Sequence, residues 1–215
     1  MPNFNEDDKR FEQLVCRIEP NGKLLSVREM TGGVSARVTA IEMVLGSGQI
    51  ATRIVRRHGE ADLKRNPGIA AAEFKLLQML RSEGLSVPEP YDLDESCGIF
   101  PQPYLVIGYV EGEIDLNPAN LEIYLFQMAA NLAAIHHVDC PSQCLPFLTR
   151  QEKLAAEMLD QDSVQTSDSL NESRIRETLT AVWPLKQTNQ TALLHGDYWP
   201  GNILWEDGRL AAIID

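Results

Sequence analysis

No run of about eighteen uninterrupted apolar residues occurs in the chain, which excludes an ordinary membrane-spanning helix. The opening MPNFNEDDKRFEQ is polar and acidic and lacks the apolar centre of a secretory signal, so none is expected. Cysteine is sparse: Cys16, Cys97, Cys140 and Cys144 show no C-x-x-C spacing, which removes the common zinc and dithiol motifs. They read as reduced thiols of a cytoplasmic protein. Walker A, zinc-protease and G-x-S-x-G signatures are missing too. Positive charge is scarce, with 19 Lys+Arg against 31 Asp+Glu and a formal net charge of −12. That balance argues against a nucleic-acid backbone or an anionic membrane surface as partner. The deficit is uneven: residues 1–110 hold 13 basic and 15 acidic side chains, net −2, and residues 111–215 hold 6 and 16, net −10. A cationic ligand therefore suits the second half, beside the plainer reading of a solubilising surface.

What is present is an ordinary globular composition over 215 residues, enough for one large domain or two small lobes. KLLSVREM, VSARVTAIEMVL and QIATRIVRR read as three strands, separated by the turn-forming TGG and GSG, hence an antiparallel meander. NPGIAAAEFKLLQMLRSEG reads as a helix with Asn66 as N-cap, Pro67 in its first turn and a stop at Gly84. VPEPYDL is an extended connection into the strand PYLVIGYV. After EGE the pattern turns helical: NPANLEIYLFQMAANLAAIHH repeats the Asn-Pro start, and Leu121, Leu125, Met128, Leu132 and Ile135 form a predicted core stripe. FLTRQEKLAAEMLD and SRIRETLTAVWPL are two more helices, and NILW, Asp207-Gly208 and RLAAIID form a closing hairpin. The expected fold class is α+β, with lobes at 1–110 and 111–215 and a ligand cleft between them.

The chemistry lies in the last stretch, LLHGDYWPGNILWEDGRLAAIID. Phosphoryl transfer requires an oriented hydroxyl, a base for its proton and metal ions against the triphosphate charge. HGDYWPGN puts Asp197 and Asn202 on one loop after the predicted buried strand TALL, and the hairpin returns Asp215 beside it. Three hard oxygen ligands thus converge from positions eighteen residues apart. His195 is expected to hold the loop rather than act as a base.

This pattern, H-G-D-x-x-x-x-N followed by an apolar strand ending in IID, closely resembles the aminoglycoside phosphotransferase and choline kinase-like family. The resemblance implies a two-lobed protein-kinase-like fold, with Gly196 where protein kinases carry Arg in H-R-D-x-x-x-x-N. It implies ATP and Mg2+, with Asp197 as catalytic base and Asn202 and Asp215 as magnesium ligands. MTGGVSARVTAIEM resembles the phosphate-covering turn, bringing in Gly32, Gly33 and Ser35, although it departs from G-x-G-x-x-G. In RIVRRHG, Arg56 stands where protein kinases keep a lysine; Ile50, Thr52, Ile54 and Arg56 share a strand face, and Arg53 and Arg57 lie opposite. The implied carboxylate partner of Arg56 is Glu73 on the following helix. YLVIGYVEGE resembles the adenine-binding hinge, with backbone groups of Gly108, Tyr109 and Val110. LAAIHHVD resembles the helix end L-x-x-L-H-x-x-D, where His136 is a packing histidine; it and His137 stay outside the site.

Family members continue past this aspartate with further helices, so the chain is expected to be C-terminally truncated, with the apolar faces of its 117–135 helix and of LAAII left uncovered. The expected activity is transfer of the γ-phosphoryl group of ATP to a hydroxyl of a small, preferably cationic, acceptor. The alternatives are a nucleotide-binding pseudokinase and an inactive fragment of a longer kinase.

Overall fold

The computed structural model describes residues 6–30, 36–139, 145, 147–160, 171–186 and 188–214. Its contacts divide the chain into two compact units, Met1–Val138 with Leu194–Asp215, and Asp139–Leu193.

The first unit opens with helix α1 (Glu6–Ile18), then strands β1 (Lys23–Met30), β2 (Ala36–Val44) and β3 (Ile50–His58). Helices α2 (Glu60–Arg65) and α3 (Ile69–Ser82), strands β4 (Pro90–Asp94) and β5 (Tyr104–Gly108), and helix α4 (Leu121–His136) follow. After the second unit the chain returns as a hairpin, β6 (Ile203–Glu206) and β7 (Arg209–Ile213). Strands β1 to β5 form one antiparallel sheet in the order β1-β2-β3-β5-β4. β5 lies inside the sheet, and its YLVI run is buried on both faces, as a central strand's continuous apolar sequence requires.

The N-terminal segment, polar in its overall composition, is in fact α1. Phe11, Leu14, Val15 and Ile18 recur at helical spacing and face the sheet. They pack on Ile41 and Met43 of β2, Val55 of β3, and Tyr104 and Val106 of β5, with Phe100 closing the cluster. Arg57 projects into this same layer, with its guanidinium 4.6 Å from the Phe100 ring centre and 5.5 Å from that of Phe11. Burial pulls its pKa below the ordinary arginine value.

Helix boundaries differ from the sequence expectation for local reasons. Asn66 is already the C-cap of α2, its amide bonded to the Asp62 carbonyl, so α3 starts later, with Gly68 as N-cap. Asn120, not Asn117, caps α4, accepting from the Ile123 amide at 3.1 Å. The buried residues of α4 are Tyr124 and Ile135, with Met128 and Leu132 partly covered; Leu121 and Leu125 of the expected stripe are 60% and 53% exposed. TALL is irregular rather than a strand, and Leu194 is exposed. The LAAII strand is not left bare: Ala212 and Ile213 are buried.

The second unit holds α5 (Gln151–Asp160) and α6 (Glu172–Val182), tied by the Arg176 Nη1 bond to the Met158 carbonyl (2.8 Å). Among the described residues no helix is long and apolar enough to cross a membrane.

Arg17 fastens α1 to β4, with Nε 2.9 Å from Asp92 Oδ2 and Nη1 3.3 Å from Asp94 Oδ1. Burial of Asp94 raises its pKa, but the Ser96 hydroxyl (2.6 Å) and amide (2.9 Å), with Arg17, outweigh it and hold the carboxyl below its ordinary value. A carboxylate with a depressed folded pKa contributes stability in full above its unfolded pKa of about 3.9 and loses it as pH falls through the folded value. Asp94→Ala is expected to cost about 1–3 kcal/mol at neutral pH, read by urea unfolding, and to flatten the acid limb below about pH 4. An unchanged acid limb in the variant would remove Asp94 from that role.

Candidate active site

The loop after Leu194 is built around residues that force its course. Gly196 has φ +88°, in the left-handed region that a side chain rarely occupies. The bend lets the Asp197 amide donate to His195 Nδ1 at 3.4 Å, so His195 touches the backbone of Asp197. The imidazole lies edge-on to Tyr198 at 5.3 Å, and the Tyr198 hydroxyl donates to the Met128 carbonyl of α4 at 2.8 Å. Burial raises the Tyr198 pKa, which keeps that donor protonated. A single 3-10 turn, Pro200–Asn202, then brings Asn202 back: its Nδ2 donates to the Asp197 carbonyl (2.9 Å) and to Asp197 Oδ2 (3.1 Å). Asp197 itself is exposed.

The hairpin behind the loop is a two-residue turn with Asp207 at φ 48° and Gly208 at φ 74°, the type I′ signature. It is braced from three directions. Gln127 of α4 receives the Leu210 amide on Oε1 (3.0 Å) and donates Nε2 to the Gly208 carbonyl (2.9 Å). Trp205 stacks on Tyr124, ring centres 4.1 Å apart, and exchanges both backbone bonds with Glu113 (2.9 and 3.0 Å). The Ile213 amide donates to the Ser86 carbonyl at 2.8 Å, and the Ile214 amide to the Asn202 carbonyl at 3.0 Å.

A cleft of about 330 Å³ opens in front of these elements. Val38, Ile54, Ile107, Ile114 and Leu204 give it apolar walls, and Arg56, Tyr109, Val110 and Asn202 also line it. Arg56 Nε lies 3.4 Å from Glu73 Oε1, and Nη1 lies 3.5 Å from the Ile214 carbonyl. Arg57 is on the other face of the sheet, against α1, as strand alternation requires. The Gly108 amide is already donated to the Glu89 carbonyl at 2.7 Å, so that N–H is not offered to a ligand at this edge. Gly32, Gly33, Ser35 and Asp215 lie outside the described residues; Met30 and Ala36, which bracket the first three, line the cleft. Both hydrogen bonds of the Asn202 side-chain amide use its nitrogen, which leaves its oxygen for a hard cation beside the Asp197 carboxylate. Among the described residues no three His, Cys, Asp or Glu side chains cluster to hold a metal, so this donor set is an amide and one carboxylate.

Sequence reasoning missed three contributors. His58, on the same strand face as Arg56, places Nε2 2.9 Å from Glu73 Oε2; strand alternation two residues on would have found it. Gln127 and the Glu113–Trp205 pairing have no sequence signal, because both join distant segments through backbone groups.

The model of the phosphotransferase enzyme family (APH) matches residues 26–215, and the chain belongs to that family. Acyl-CoA dehydrogenase family member 10 of Mus musculus is 24% identical over 176 residues, covering 75% of this chain and 16% of that protein. A Ralstonia eutropha JMP134 structure assigned as an aminoglycoside phosphotransferase superposes with a TM-score of 0.67 at 18% identity, over 96% of this chain and 63% of its own. Spectinomycin phosphotransferase, solved with ADP and spectinomycin, gives 0.63 at 12%, over 96% and 68%. A thermostable aminoglycoside phosphotransferase mutant, solved with AMP-PNP and hygromycin B, gives 0.66 at 17%, over 95% and 70%. What these structures share with the chain is the fold, a protein-kinase-like arrangement of an antiparallel sheet and helices. The chain spans 63% of the Ralstonia protein's length and 16% of the mouse protein's.

Gly112 shows how closely the hairpin is held. Its φ is +134°, and a Cβ there would meet the Trp205 carbonyl oxygen at 2.8 Å. Gly112→Ala is expected to destabilise the fold by about 2 kcal/mol or more in denaturant unfolding, by breaking the Glu113–Trp205 exchange. A variant as stable as the parent would show that this backbone approach is not required.

Proposed function

We propose that this protein is an ATP-dependent phosphotransferase that moves the γ-phosphoryl group to a hydroxyl of a small molecule. The observation that carries the proposal is the Asn202–Asp197 side-chain contact at 3.1 Å beside a cleft that Arg56 also lines. It holds an exposed carboxylate and an amide oxygen at the mouth of a site with apolar walls, the combination that a base, a cation and a flat nucleotide ring require.

On this reading the acceptor hydroxyl donates to an Asp197 carboxylate oxygen, which orients its lone pair toward the γ-phosphorus and takes its proton as the new bond forms, while the bond from that phosphorus to the β–γ bridging oxygen breaks and ADP leaves. Asn202 holds one carboxylate oxygen, so the other faces the acceptor. Asn202 and Asp215 are the residues that would hold Mg2+, whose chemistry is to neutralise the β- and γ-phosphate charge. Arg56, braced by Glu73, grips phosphate oxygens from the sheet side. The turn carrying Gly32, Gly33 and Ser35 covers the phosphates, and the backbone of Tyr109 and Val110 takes the adenine edge. The lobes meet at residues 110 and 111 in this scheme. The excess of acid in residues 111–215 favours a cationic acceptor, an aminoglycoside or an amino alcohol. The relatives solved with hygromycin B and spectinomycin support that choice of acceptor panel.

Asp197→Asn tests the base directly. It is expected to keep Mg·ATP affinity within about twofold while turnover falls by roughly two to four orders of magnitude. Turnover near the parent's would remove Asp197 from the chemistry, and ATP binding without turnover in the parent would favour a nucleotide-binding pseudokinase. Asn202→Leu is expected to weaken Mg·ATP at least tenfold while leaving metal-free nucleotide binding nearly unchanged. Equal loss with and without magnesium would place Asn202 in loop structure alone.

A further inference from the structure

The carboxylate of Glu73 has two partners, not one. Its Oε1 faces Arg56 Nε at 3.4 Å, and its Oε2 faces His58 Nε2 at 2.9 Å. The shorter contact belongs to the histidine. His58 is the last residue of β3, its backbone held opposite Ala36 of β2, and its side chain is only 4% exposed. The last torsion of a glutamate is broad, so one contact at 3.4 Å does not fix the plane of the carboxylate. A second close contact, on the other oxygen, narrows that freedom. With Oε2 only 2.9 Å from the nitrogen of a buried imidazole, the carboxylate turns Oε1 toward Arg56 Nε. The guanidinium then faces Glu73 with its inner nitrogen, and its Nη1 reaches the Ile214 carbonyl at the end of the hairpin.

We propose that His58 is a positioning residue for the phosphate grip: it orients Glu73, and through Glu73 it aims Arg56 at the nucleotide phosphates. This role rests on the nucleotide-binding function proposed above. His58 touches no substrate in this scheme; its effect travels through one carboxylate, so it should disappear when that carboxylate is gone.

The test is calorimetric binding of Mg·AMP-PNP to the whole chain and to variants. His58→Ala is expected to weaken binding about tenfold, the size usual when a group supporting a ligand contact is removed. His58→Gln, whose side-chain amide presents a donor at similar reach, is expected to stay within about twofold of the parent. In a Glu73→Gln background, His58→Ala should cause no further loss. Should His58→Ala fail to fold, His58→Leu keeps the volume and removes the donor, and the same tenfold loss is expected. Unchanged or tighter binding in either donor-free variant overturns the proposal. So does an equal loss in His58→Gln, which would mark the imidazole as packing, or full additivity with Glu73→Gln. A parent chain that binds no AMP-PNP overturns the nucleotide-binding function itself; a parent that binds while His58→Ala binds equally well overturns only the role of His58.

Discussion

The hydrogen bond from the Ile214 amide to the Asn202 carbonyl, 3.0 Å, is the contact on which the site depends. A loop that offers an exposed carboxylate to solvent buries too little to order itself, and its conformational entropy must be offset elsewhere. Here that bond joins the end of the loop to the end of the hairpin, so that one cannot move without the other. The hairpin in turn is fixed by groups far away in sequence: Ser86 after α3, Glu113 after β5 and Gln127 on α4. Most of these ties end on backbone atoms. The geometry around Asp197 therefore depends on chain path more than on any single side chain. Two glycines with positive φ, Gly112 and Gly196, mark where that path leaves the ordinary range ahead of the hairpin.

A second constraint is the two-sidedness of β3. Arg56 and Arg57 are adjacent and chemically identical, yet the pleat sends them to opposite worlds. Arg57 is buried against Phe11 and Phe100 under α1, where desolvation lowers its pKa, and its Nη2 lies 3.4 Å from the Thr39 hydroxyl. Arg56 lines the cleft and meets Glu73. A one-residue slip of β3 would exchange a structural cation for a ligand-facing one. The register is secured by nine pairs with β2 and five with β5, so the choice is made by the sheet as a whole.

Much of this was legible in sequence. The strands of the meander, the Asp-Gly hairpin and the face assignment of the arginines followed from period-two alternation and turn chemistry, because these are local properties. The HGDYWPGN loop announced itself by residue type and spacing. Helix starts were less legible: Asn66 and Asn117 each precede a proline, but Asn66 caps the end of α2 and Asn120 caps α4. A capping residue is chosen by where the preceding chain ends, which a local pattern does not encode. α1 was masked by its composition: acidic residues dominate, and only the spacing of Phe11, Leu14, Val15 and Ile18 reveals the buried stripe. The α4 stripe failed for the opposite reason. The helix is apolar nearly all round, so periodicity could not select the face that meets Trp205. Tyr124 decides it, and a tyrosine is not where an aliphatic stripe draws attention.

The acidic balance of the chain finally bears on the phosphate site proposed here. Residues 111–215 carry net −10, and a nucleotide triphosphate is itself an anion. Repulsion on that side has to be met by cations supplied locally. The sheet side supplies Arg56, but Glu73 lies against it and lowers its net charge. A carboxylate paired only with Arg56 would cancel most of that field. Glu73 also lies 2.9 Å from His58 Nε2, the shorter of its two contacts. Orientation and charge are opposed demands on a single ion pair, and a second close contact on the carboxylate bears on the first of them.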